Sequence, residues 1–118
     1  SDRYSSRVVV LSGPYVQKLF IDQKLGDAPL DKEIMQLLQF IRSDAFWSAQ
    51  IAEVNVMADG KVWLFPQVGN QVIAFGLPSD LEGKFFRLKV FYKEILPRRG
   101  WNKYDTVSLE YAGQVVAK

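Results

Sequence analysis

The sequence has 118 residues, 48% of them hydrophobic and 24% charged, with a formal net charge of +2 and neither histidine nor cysteine. That composition describes one globular domain with a sizeable core. It excludes disulfides, thiolate nucleophiles, the usual zinc sites and the commonest general base near neutral pH. The charge is uneven: Ser1 to Gly83 holds 7 basic and 10 acidic residues, a net of −3, whereas Lys84 to Lys118 holds 8 basic and 3 acidic, a net of +5.

The chain opens on SDRYSSR, which has neither a basic n-region nor an apolar h-region, so no signal peptide is expected. No apolar run reaches the roughly 20 residues of a membrane span. The first strand reads SRVVVLSG, Ser6 to Gly13, closed by Gly-Pro. A loop with Pro29 follows, then DKEIMQLLQFIRSDAFW, in which Ile34, Leu37, Leu38 and Ile41 fall on one helical stripe. Pro29, Asp31 and Glu33 suit the start of that helix.

A meander comes next. IAEVNVM alternates imperfectly, Ala58-Asp59-Gly60 is a hairpin turn signal, and KVWLFP returns as a strand. Val68-Gly69-Asn70 makes a second turn into QVIAFG. Ser79-Asp80-Leu81-Glu82 reads as a capping box with Ser79 at the cap. Leu81, Phe85, Leu88, Tyr92 and Ile95 continue as one apolar stripe, and Pro97 and Gly100 are expected to stop it. The last hairpin sets Val107, Leu109 and Tyr111 on one face and turns at Ala112-Gly113 into Gln114 to Lys118. The order β-α-β-β-β-α-β-β predicts an α+β fold: a mixed, mostly antiparallel sheet with two helices packed on one face.

The chemistry-bearing residues are few. The close carboxylate pairs, Asp22 with Asp27, Asp31 with Glu33 and Asp80 with Glu82, all lie at loops or helix starts, where acids suit the helix dipole. DQKLGD lacks the ligand pattern of a calcium loop, and Gly69 and Gly76 build no phosphate cradle. No cofactor, metal or catalytic residue is expected, and the chain reads as a binding module. Basic residues from Lys84 to Lys103 alternate with aromatics, but Phe85 and Tyr92 belong to the apolar stripe. The modest net charge also argues against nucleic acid. A solvated basic helix face is the plainer reading. Trp47, Trp63 and Trp101 are expected in the core or at packing edges, Trp101 being hardest to bury after Pro-Arg-Arg-Gly.

With that element order in hand, the chain resembles the extracytoplasmic β domain of the bacterial cell-division protein FtsQ (DivIB in Gram-positive bacteria), in its Bacteroidota form. The stretches that carry the resemblance are SSRVVVLSG, FIRSDAFWSAQIAEVNV, FPQVGNQVIAFG, LKVFYKEILPRRGWNKYDTVSLEY and GQVVAK, which together span about Ser5 to Lys118. The resemblance implies a non-enzymatic divisome scaffold on a single-pass inner-membrane protein, with this domain in the periplasm and a POTRA domain and anchor outside the sequence. It implies that FtsB/FtsL-like partners are recruited by strand addition to the last strand.

Carried over by position, the partner-binding residues are Tyr111, the turn residues Ala112 and Gly113, and the strand Gln114, Val115, Val116, Ala117 and Lys118. Glu110 stands where the family usually has arginine, so the partner's charge pattern is expected to differ. An open edge there would also allow edge-to-edge self-association in isolation. The other reading is a generic envelope domain, POTRA-like or with a ligand pocket, whose last strand is paired internally. Val116→Pro is expected to abolish partner binding and leave the domain folded.

Overall fold

The computed structural model describes residues 9–22 and 28–118. Residues before Val9, including Ser6 to Val8 of the predicted first strand, and Asp27 lie outside the described residues.

Six strands form one sheet: β1 (Val10–Ser12), β2 (Ile51–Val56), β3 (Val62–Pro66), β4 (Val72–Gly76), β5 (Thr106–Ser108) and β6 (Val116–Ala117). They lie side by side in chain order. The β2–β3, β3–β4 and β5–β6 pairs are antiparallel and joined by turns. The β1–β2 and β4–β5 pairs are parallel, and each is joined through helices, as a parallel crossover requires. Between β1 and β2 run α1 (Pro14–Asp22), α2 (Pro29–Ser43) and α3 (Ala45–Gln50). Between β4 and β5 run α4 (Leu81–Val90), a π turn over Phe91–Ile95, and α5 (Leu96–Arg99). The fold is α+β with a mixed, mostly antiparallel sheet, as the sequence pattern predicts.

Helix α1 was expected as loop. Pro14 sits at its first position, where a missing N–H costs nothing, and the helix is nine residues long, with Val16 buried and Tyr15 and Leu19 partly so. The second predicted helix segment divides at Asp44. This residue is extended, and its carboxylate accepts from the Phe46 and Trp47 amides at 2.9 and 3.0 Å, capping α3. The restart turns Trp47 into the core.

Two expectations for α4 are corrected. Ser79 forms no capping box: its amide bonds Leu77 O, and the cap position falls to Asp80, a left-handed residue at φ 51° with no side-chain cap bond. Nor does the stripe end at Ile95, and of the two expected stops the helix passes Pro97 and ends at Gly100. The Leu96 amide reaches back five residues to Phe91 O, so the π turn slips the register by one. Leu96 is then fully buried, and Ile95 is 36% exposed. The same slip relieves the pairing pattern where Pro97 has no N–H to give, and the helix runs on until the Gly100 amide bonds Leu96 O.

All the helices pack on one side. Their buried residues join Ile51, Val54, Leu64, Ile73, Phe75 and Val107 in a single core, in a molecule only 22 Å along its shortest axis. Phe85 is the hub, its ring 4.7 Å from Phe40 and 5.1 Å from both Trp47 and Phe75. The imperfect alternation of IAEVNVM has a cause: the register shifts between Ile51 and Glu53, a bulge that lets Ile51 and Val54 both face inward. On the far side of the sheet, the register aligns Ser12, Asn55, Trp63, Ala74, Ser108 and Val116 in one row across all six strands.

Candidate partner-binding edge

Strand β6 closes one side of the sheet and pairs only with β5 among the described residues. It is short, and its register is fixed at both ends. The Tyr111–Gly113 turn is closed by the Gln114 amide donating to Tyr111 O at 3.2 Å, with Gly113 at φ 67°, a conformation that glycine adopts without penalty. At the other end Lys118 and Thr106 exchange both backbone bonds, at 2.9 and 3.2 Å, and the Asp105 amide adds a third at 2.7 Å.

That exchange sets the polarity of the whole strand. In an antiparallel ladder, bonded and non-bonded pairs alternate. Lys118 and Val116 therefore turn their N–H and C=O toward β5, and Ala117 and Val115 turn theirs outward. The side chains sort the other way. Ala117 lies opposite buried Val107 and, with Val115, packs against the core, whereas Val116 lies opposite Ser108 on the far face. A proline at Val116 would thus remove an N–H that serves β5. The groups turned away from β5 belong to Val115 and Ala117.

The other sequence-predicted residues fall around this edge. Gln114 and Lys118 are exposed, and so are Ala112 and Gly113 in the turn. Tyr111 was expected to share a face with Val107 and Leu109. The strand ends at Ser108, however, and only Leu109 stays tied to the sheet, through its amide to Ala74 O at 2.9 Å. Tyr111 lies in the turn, 58% exposed. Glu110 is exposed and stands 4.0 Å from Lys61, a surface pair worth little.

Next to the turn is a hollow of about 430 Å³ lined by Glu110, Ala112, Gly76, Asp80, Lys84 and Arg87 among others. No motif in the residue pattern points to it. Lys84 is 8% exposed, donates to Leu77 O at 2.8 Å and stands 4.8 Å from the centre of the Phe75 ring. Burial pushes its pKa down, and the nearby Asp80 carboxylate opposes that. Arg87 donates to Leu109 O at 3.4 Å, and its guanidinium is 3.8 Å from the Asp80 carboxylate. These two cations tie α4 to the β4 and β5 ends; they are bracing for the turn.

The Asp22 side chain and Asp27 lie outside the described residues, and the carboxylates that are described do not converge. Asp31 is buried and accepts the Tyr15 hydroxyl at 2.5 Å, and Asp80 flanks Arg87. Among the described residues, no group of three or more carboxylates is placed to hold a metal. No helix among the described residues is long and apolar enough to cross a membrane.

No curated protein matches the sequence. The family profile for FtsQ/DivIB C-terminal-related domains matches residues 1–118, the entire sequence. With that match over the entire sequence, the chain belongs to the FtsQ/DivIB C-terminal-related family of cell-division domains.

Proposed function

We propose that this domain is a non-enzymatic scaffold of the division machinery, held in the periplasm by a single-pass inner-membrane protein. In this reading, a strand of an FtsB/FtsL-like partner adds to the outer edge of β6. The observation that supports it is the outward set of Val115 and Ala117 N–H and C=O groups, which no strand among the described residues engages. Backbone bonds to that edge would supply affinity, and the exposed Gln114, Lys118 and Tyr111 side chains would supply selectivity.

The test follows from the polarity of the strand. Ala117→Pro deletes an outward N–H and spares the bonds to β5, so it should weaken an FtsB-like peptide at least tenfold with little change in thermal unfolding. Val116→Thr keeps both the shape and the amide and should bind nearly as the parent does. If Ala117→Pro stays folded and binds normally, the partner does not add to β6.

A further inference from the structure

Helix α4 has a second apolar face that the core does not use. Phe86 is 69% exposed, Val90 42% and Ile95 36%. Phe86 and Val90 are one turn apart. Ile95 would diverge from them in a regular helix, but the wider π turn brings it back toward their side. The three make a stripe about 13 Å long at the usual rise. Beside it, Phe86, Val90, Lys89, Lys93 and Glu94 line a hollow of about 210 Å³.

The charge around this strip is one-sided. Residues 86–99 hold Arg87, Lys89, Lys93, Arg98 and Arg99 against the single acid Glu94. The ammonium groups of Lys89 and Lys93 rest over the Phe46 ring, 5.1 and 5.5 Å from its centre. Neither lysine makes an ion pair among the described residues. Both ammonium groups therefore have the Phe46 ring, and no carboxylate among the described residues, as their partner at the rim.

The geometry points to a docking strip on the outer face of α4 for an acidic amphipathic helix of a protein partner. Apolar side chains of that helix fill the hollow beside Phe86 and Val90, and its carboxylates meet Lys89 and Lys93. An apolar surface lining a hollow suits the knobs of a packed helix. A flat anionic bilayer suits it less, because it brings no side-chain knobs to fill the hollow between Phe86 and Val90. The strip is separate from the β6 edge, so the two surfaces can be tested apart.

Three 18-residue peptides sharing one leucine face, with Glu, Gln or Lys on the flanks, are titrated into the domain and followed by amide chemical shifts. The expected result is saturable shifts centred on Phe86, Lys89, Val90 and Lys93, with affinity falling from Glu to Gln to Lys flanks. Phe86→Ser should weaken the Glu peptide at least tenfold with unfolding unchanged. Lys89→Glu with Lys93→Glu should reverse the charge preference. Affinities independent of flank charge, or shifts that map to β6 instead, overturn the proposal. So does association of the parent domain with anionic vesicles, or with itself, that Phe86→Ser abolishes while no peptide binds.

Discussion

Both long helical segments of this domain are interrupted, and they are interrupted in different ways. Between α2 and α3 the chain leaves the helix altogether at Asp44 and begins again under a new cap. Between α4 and α5 it never leaves: one turn widens to accept an extra residue. Each device re-phases the apolar stripe. The break brings Trp47 into the core, and the wide turn brings Leu96 in and leaves Ile95 out. A helix can thus change the side it buries either by stopping or by stretching, and only stopping needs a capping residue.

The largest effects should separate the two faces of α4. Phe85→Ala, at the centre of the aromatic cluster, should cost about 3 to 5 kcal/mol, and Leu88→Ala about 2 to 5 kcal/mol. Phe86→Ala, one residue from Phe85, should fall within about 0.5 kcal/mol of the parent. Denaturant unfolding of these variants measures the contrast, and equal losses at Phe85 and Phe86 would put the helix in the wrong orientation.

The wide turn makes a sharper claim. Leu96→Ala should cost about 2 to 5 kcal/mol and Ile95→Ala about 0.5 kcal/mol or less. An uninterrupted α-helix predicts the reverse order, so this one pair decides the register.

The capped break should be cheaper to disturb. Asp44→Ala removes the acceptor for two amides and should cost about 0.5 to 2 kcal/mol. Asp44→Asn keeps an acceptor and should recover most of it. No difference between the two would mean that the carboxylate is not the cap.

The smallest effect is a pH dependence where α1 meets α2. The hydrogen bond to Asp31, with burial and the carboxylate charge adding to it, raises the Tyr15 pKa from 10.0 to about 12. As pH rises between those values, the unfolded chain loses this proton before the folded one does. Stability contributed by the pair is therefore whole below pH 10.0 and declines toward about 12. Tyr15→Phe should flatten that decline in thermal melts taken across the range, and an unchanged slope would show that other groups cause it.

Much of this arrangement can be read from residue patterns. Ile34, Leu37 and Ile41 repeat at helical spacing and are buried, and the turns around Asp59-Gly60 and Gly69 set three neighbouring strands in place. What escapes has physical causes. Helix α1 is only nine residues long and opens directly after Gly13, on a Gly-Pro pair that reads as a turn. Ser79 and Glu82 satisfy a capping pattern that Asp80 pre-empts by turning left-handed. The π turn leaves no compositional trace, because Ile95 and Leu96 are equally apolar and only backbone bonding chooses between them. The terminal strand is legible as a strand. Its polarity is not, since the outward turn of Val115 and Ala117 depends on which pair bonds first, and the Lys118–Thr106 exchange sets that.

Strand order that equals chain order has a kinetic consequence. The β2–β3–β4 meander closes through short turns, within residues 51–76, so its contacts are local and cheap to form in loop entropy. The parallel joins to β1 and β5 must wait until helical layers have condensed on that meander. A transition state built around β2 to β4 would place β6 among the last contacts made. Substitutions at Val115 or Ala117 should then speed unfolding and leave the refolding rate nearly untouched, whereas those at Leu64 or Ile73 should slow refolding.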